Sequence, residues 1–288
     1  MTTQSTARLL TGKPVAEAMN AQTRDRVAAF VARNRSVPIL AVVSVGANAE
    51  ATRYAETLRR AVAAVNIGFT RHDLPADTSA DGLIAHLHRT NDDAQIAGII
   101  VTMPLPGHIP AVVVEETLSA RKDVDGITLT SAGRLTLGLP GFAPATPLGG
   151  LVILKHYDIA LAGQRVVVVG RSAVVGRPFA QLLLRENATV TIAHSHTRDL
   201  AAITREADIL AVAVGRPGFI TPEMVRSGAT VIDFGTNYTD AGLRGDVHPD
   251  AITVAGAMTP VPGGTGPVTN AVLMRQVIDA AESRMRTG

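Results

Sequence analysis

Apolar residues in the first part of the chain alternate between helical spacing and short unbroken runs. Val15, Met19, Val27, Phe30 and Val31 fall at helical intervals in a segment opened by Pro14, which predicts a helix to about Asn34. Pro38–Gly46 is a continuous apolar run ended by glycine, as expected of a strand covered on both faces. A helix from Asn48 to Asn66, closed by Gly68, is followed by a strand Phe69–Leu74 and a helix Ser79–Asp92 capped by Ser79. A strand Ile96–Met103 and a helix Pro110–Leu118 complete this part, and the alternation implies a parallel sheet. From Asp123 to Pro147 the pattern dissolves into loops rich in Gly, Pro and Thr, read as the connection between two domains. Thr146 as cap and Pro147 at the first helical position then start a helix to about Tyr157. Strands are expected at Arg165–Val169, Ala188–Ala193, Ile209–Val214, Thr230–Phe234 and Ile252–Ala255, with helices between most of them. That is a doubly wound, Rossmann-like arrangement, and a last helix runs from Pro267 to about Arg284.

The run Val166–Val169 leads directly into Gly170-Arg171-Ser172-Ala173-Val174-Val175-Gly176, and a helical pattern follows. Glycine permits a tight turn and close approach to a ligand, and a helix N-terminus offers free N–H groups to a phosphate. The spacing is G-x5-G rather than G-x-G-x-x-G, so the turn is either a nucleotide site or a plain α/β loop. The next strand ends in His194-Ser195-His196-Thr197, with no carboxylate to select a ribose hydroxyl. Arg171 offers a charge-assisted pair to a phosphate. Both features favour NADP over NAD; without a cofactor these are ordinary polar loop residues.

Composition narrows the classes. The chain has 288 residues, 46% hydrophobic and 18% charged, which fits a soluble globular protein of two domains. Aromatics at 3% and no Trp argue against stacking on single-stranded nucleic acid. A net charge of +2 without a Lys/Arg run gives little support to a nucleic-acid or membrane partner. The absence of Cys excludes disulfides, thiolate zinc sites and a cysteine nucleophile, and no metal site is expected. No apolar leader is seen in Met1–Asn20, so a cytoplasmic protein is expected.

Several stretches together resemble the methylenetetrahydrofolate dehydrogenase/methenyltetrahydrofolate cyclohydrolase family. They are Gly170-Arg171-Ser172, Val175-Gly176-Arg177-Pro178, His194-Ser195, Val231–Gly235, Gly245-Asp246-Val247 and Thr259–Pro267. The first half adds Pro104-Leu105-Pro106, Lys122-Asp123-Val124-Asp125-Gly126 and Pro144–Pro147. The resemblance implies an N-terminal α/β folate domain, 1–143, joined by the returning C-terminal helix 267–288. A Rossmann-like NADP domain spans 144–266, the two domains flank a folate cleft, and the protein is a homodimer. It implies Gly170, Arg171, Ser172, Val175, Gly176, His194, Ser195 and Thr236 at the cofactor, Thr236 replacing a usual isoleucine. Tyr54, Thr102, Pro104, Asp125, Pro262, Gly263 and Gly264 are implied at the folate, with Tyr54 and Asp125 catalytic.

Two departures carry chemistry. The family pairs a tyrosine with a lysine four residues later; here these positions are Tyr54 and Leu58. The family's glutamine before Pro-Leu-Pro is Thr102. Leucine cannot exchange protons, and threonine is too short to reach as a glutamine does. Arg59 and Arg60 point off the Tyr54 face and stay protonated. The expectation is NADP-linked oxidation of methylenetetrahydrofolate with the cyclohydrolase step weak or absent. Its alternatives are the full bifunctional enzyme, with another residue or water in the lysine's role, and a paralogue that binds nucleotide or folate without turnover.

Overall fold

The computed structural model describes residues 7–46, 49–240 and 242–285, the side chain of Glu50 excepted; the expected helix start at Asn48 lies outside them. The chain forms two compact units, one of Glu17–Ala145 with 270–285, the other of 7–16 with Thr146–Thr269. β1 (Arg8–Leu9) is followed by α1 (Gly12–Asn34), β2 (Ile39–Val45), α2 (Ala49–Ala63), β3 (Gly68–Leu74), α3 (Ala80–Asp92) and β4 (Ile96–Val101). Then come α4 (Val112–Thr117), α5 (Leu129–Thr136), α6 (Ala145–His156), β5 (Arg165–Val169), α7 (Gly176–Arg185) and β6 (Thr189–Ala193). The rest is α8 (Leu200–Thr204), β7 (Ile209–Val212), β8 (Thr230–Asp233), β9 (Asn237–Thr239), β10 (Gly242–Arg244), β11 (Ala257–Met258) and α9 (Thr265–Met285).

The first unit holds a parallel sheet ordered β3-β2-β4. Its central strand is apolar because both faces are covered: Leu40, Ala41, Val42 and Val43 are all fully buried. Leu83 and Leu87 of α3 pack on it with Val114 of α4. Ser79 does cap α3, accepting from the Gly82 N–H at 3.1 Å. The second unit holds a six-stranded sheet ordered β1-β11-β8-β7-β5-β6, with parallel pairings throughout. β5 lies between β6 and β7, so consecutive crossovers leave it in opposite directions, and a crevice opens at its C-terminal end.

Where the structure departs from the sequence expectation, a non-local contact is usually the reason. Residues 7–16 join the second unit, because β1 pairs with β11 through Arg8↔Ala257 and Leu9↔Met258. Helix α1 starts before Pro14, with Gly12 N–H bonded to Gly263 O at 2.7 Å. Helix α2 ends earlier than expected: Asn66 takes the left-handed conformation at φ 59°, and Gly68 begins β3 by bonding Pro38 O. Helix α4 begins at Val112, two residues after Pro110. The stretch expected as loop contains α5, whose Thr128 hydroxyl accepts from Ser131 N–H at 3.1 Å. The expected strand Ile252–Ala255 is a 3-10 turn, Pro249–Thr253, and the strand is β11 instead.

Candidate active site

In the second unit the glycine turn is closed by contact. Gly170 sits at φ 124°, which side chains rarely tolerate, and a Cβ there would overlap the Ala213 carbonyl. A Cβ at Gly176 would likewise overlap Gly170 O. The first amides of α7 are not free, as the sequence had implied: Ser172 Oγ accepts from Val175 N–H at 3.1 Å and Gly176 N–H at 3.3 Å. Ser172 and Val175 thus build the turn rather than face the space beside it.

That space is a cavity of about 500 Å³ lined by Gly170, Arg171, His194 and Ser195. It is the size of an ordinary small-molecule site. Thr197, Val214, Arg216 and Phe219 are also in its lining, and sequence reasoning missed them. Arg216 stacks on Phe219, its guanidinium carbon 4.6 Å from the ring centroid. The signal available was Val214-Gly215-Arg216-Pro217, one residue beyond β7 and next to the crevice. Desolvation, then the charges of Arg171 and His196, hold His194 below the usual imidazole range. Its Nδ1 accepts from His196 N–H at 3.2 Å, as a neutral ring does. Thr236 is exposed and does not line this cavity.

Two aspartates set the far wall. Asp233, 1% exposed, accepts from the N–H groups of Gly235, Asp246 and Val247 at 2.8–3.0 Å. Asp246, fully buried, accepts from Val214, Gly215 and Arg216 N–H at 2.6–2.9 Å. This takes those amides from the neighbouring strand, so β7 stops at Val212 rather than Val214. Thr259 and Val261, just before Pro262, border a second cavity of about 510 Å³ that also includes Asp233. Pro262, Gly263 and Gly264 are not part of its lining; Gly264 lies where a Cβ would sit 2.5 Å from Pro260 O.

In the first unit Tyr54 and Asp125 are both half-buried, and the Asp125 charge acts on the Tyr54 phenol. Desolvation, with a smaller contribution from Asp123, raises the Asp125 carboxyl to about 7, against one opposing bond from Ala145 N–H. That bond also explains why α6 begins at Ala145 and not after Thr146: a carboxylate twenty residues earlier satisfies the helix's first amide. Desolvation and then Asp125 push the Tyr54 phenol well above its usual range, so it stays protonated. Leu58 is fully buried, one helical turn from Tyr54. Thr102, 6% exposed, donates its hydroxyl to Ser44 Oγ at 3.1 Å and is spent there. Pro104 is exposed. Arg59 and Arg60 bond Glu56 on the solvent side of α2.

Residues 10–125 match the catalytic domain described as tetrahydrofolate dehydrogenase/cyclohydrolase, and residues 144–285 match the NAD(P)-binding domain of the same description. The chain belongs to the tetrahydrofolate dehydrogenase/cyclohydrolase family. A relative from Roseiflexus sp. (strain RS-1), named bifunctional protein FolD, is 44% identical over 282 residues, 97% of this chain and 98% of that protein. The FolD methylenetetrahydrofolate dehydrogenase/cyclohydrolase of Campylobacter jejuni superposes with a TM-score of 0.94 at 35% identity, covering 96% of this chain and 99% of that one. The Trypanosoma brucei enzyme, solved with NADP and an inhibitor, gives 0.90 at 32% identity over 97% and 99% of the two chains. Among the described residues no helix is long and apolar enough to cross a membrane, and no three His, Asp or Glu side chains are placed to hold a metal. For this family, then, the glycine turn closed on Ala213 and the cavity holding Arg171, His194 and Ser195 fit a phosphorylated dinucleotide.

Proposed function

We propose that this chain oxidises methylenetetrahydrofolate with NADP and then hydrolyses the methenyl cation, with Asp125 moving the proton that the family's lysine would move. The relatives, named bifunctional, favour this two-step reading over the dehydrogenase-only reading of the sequence. The observation that carries it is Asp125 beside Tyr54: a half-buried carboxyl titrating near neutrality, where Leu58 and Thr102 supply no other proton carrier. Arg171 and Ser195 recognise the 2′-phosphate, and the Gly170 turn brings backbone close to the pyrophosphate. Bound there, NADP supplies the acceptor for the hydride that leaves the methylene carbon. The protonated Tyr54 packs along the pterin and helps exclude water during that step. In the second step water adds to the methenyl carbon and gives one proton to ionised Asp125. The carbon–oxygen double bond then forms and the bond to one ring nitrogen breaks. That nitrogen keeps one of the two water protons, and the other is released to solvent.

The test follows NADPH and the methenyl species spectrophotometrically with methylenetetrahydrofolate and NADP. NADPH should form, and methenyl decay should scale with protein and accelerate as pH rises through about 7. Asp125→Asn should slow the accelerated decay by roughly two orders of magnitude. Decay no faster than buffer would leave a dehydrogenase alone, and no NADPH would refute both steps.

A further inference from the structure

We infer that Gln276 is the positioning residue that sets Asp125 in place; the inference rests on the role given to Asp125 above. Asp125 stands on one of two chain segments that run side by side, 124–126 and 143–145. Their approach is close enough that a Cβ at Gly126, which sits at φ 63°, would fall 2.5 Å from the Ala143 carbonyl carbon and 2.6 Å from Pro144 N. Gln276, on α9 and 3% exposed, bonds both segments with one amide group. Its Nε2 donates to Val124 O at 2.6 Å and to Ala143 O at 3.1 Å, and its Oε1 accepts from Ala143 N–H at 3.3 Å. Val124 directly precedes Asp125, and Ala143 lies two residues before Ala145, the residue whose N–H binds the Asp125 carboxyl.

The remaining contacts fix other coordinates of the loop. Val124 is fully buried against Gly98 of β4, where a Cβ would come within 2.6 Å of Val124 Cγ1. Asp123 turns back on its own neighbours, accepting from Ile127 N–H and from Thr128 N–H and Oγ1. Lys122 donates to Thr90 O and Asp93 O at the end of α3. These anchor segment 122–128 to the sheet and to itself. Gln276 ties it to segment 143–145, and so fixes the distance from Asp125 to Ala145 N–H and the depth at which the carboxyl is held. An amide suits the task because it presents two donors and an acceptor without charge. A methyl group in its place leaves three buried backbone groups unpaired, and the segments part to reach water.

The experiment compares the full-length wild type with Gln276→Met, of similar length but without hydrogen bonds, and with Asp125→Asn. Gln276→Met should lower kcat for methenyl hydrolysis by about 10- to 100-fold, the cost of a misplacement on the ångström scale. KM for NADP should stay within about twofold, since Gln276 is not part of the cofactor cavity. The discriminating readout is the Asp125 carboxyl titration by 13C NMR, with the pH profile of methenyl decay. Both should move from about 7 toward the ordinary carboxylate value as water enters. Residual activity with an unshifted titration would mean a structural role only and would overturn the inference. If Gln276→Met does not fold, Gln276→Asn, one methylene short but still polar, is measured in the same way. If Asp125→Asn leaves methenyl hydrolysis intact, the assigned role of Asp125 fails. If it is inactive while both Gln276 variants keep wild-type kcat and titration, this inference alone fails.

Discussion

Asp125→Asn should make the protein more stable above neutral pH while disabling it. An unfolded aspartate ionises near 4, whereas the folded carboxyl of Asp125 titrates at about 7. Between those values the folded chain binds a proton that the unfolded chain does not, so wild-type stability falls as pH climbs from 4 to 7 and is flat above. Asparagine keeps an acceptor for Ala145 N–H and does not titrate. The gap between variant and wild type is therefore near zero at pH 4, opens through the window and is complete by pH 8. Three pH units correspond to about 4 kcal/mol; discounted for a side chain that is only half-buried, the expected gain is about 2–4 kcal/mol. For domains of this size that raises Tm by roughly 5–10 °C. Calorimetry at pH 4.5 and pH 8 measures it directly. A variant equally stable at both pH values, or less stable at pH 8, would show that Asp125 is not held against its own ionisation.

Ser195→Asp places a carboxylate beside the proposed 2′-phosphate site; steady-state kinetics should show KM for NADP rising about 10- to 100-fold while NAD improves. Gly170→Ala forces a Cβ onto the Ala213 carbonyl at φ 124°, and calorimetric titration should show NADP affinity falling more than about tenfold. Leu58→Lys with Thr102→Gln should speed methenyl decay by about tenfold or more. Because Leu58 is fully buried, urea unfolding should show a stability loss of about 2–4 kcal/mol.

What the sequence made legible was local or periodic. Ser79 lies three residues before the amide it binds, and Val166–Val169 can only be a covered strand, so both were readable. The start of α6 was not, because its cap is Asp125, distant in sequence and attached by folding. The end of β7 was hidden for the same reason, its next three amides belonging to Asp246. At the cofactor cavity the strand-end logic gathered Gly170, Arg171, His194 and Ser195, since each follows β5 or β6 directly. It passed over Arg216 and Phe219, which follow β7; Thr236, implied at the cofactor by the family resemblance alone, is exposed and outside the cavity. The burial of Leu58 was implicit in its position on the apolar face of α2 with Ala55 and Val62.

The Asp233–Asp246 pair makes the cofactor cavity a late product of folding. Strands β5 and β6 with the Gly170 turn draw on neighbouring sequence, but the wall formed by Val214 and Arg216 waits for a carboxylate thirty or more residues downstream. Asp246 in turn is held by its N–H on Asp233 and by the Asn237 side-chain amide. Closing those loops is entropically slow compared with the local turn. A chain released before Gly245, or nicked in the hairpin β9–β10, therefore retains β5, β6 and the glycine turn but lacks one wall of the cavity. During refolding, NADP binding reports completion of the hairpin region rather than formation of the sheet.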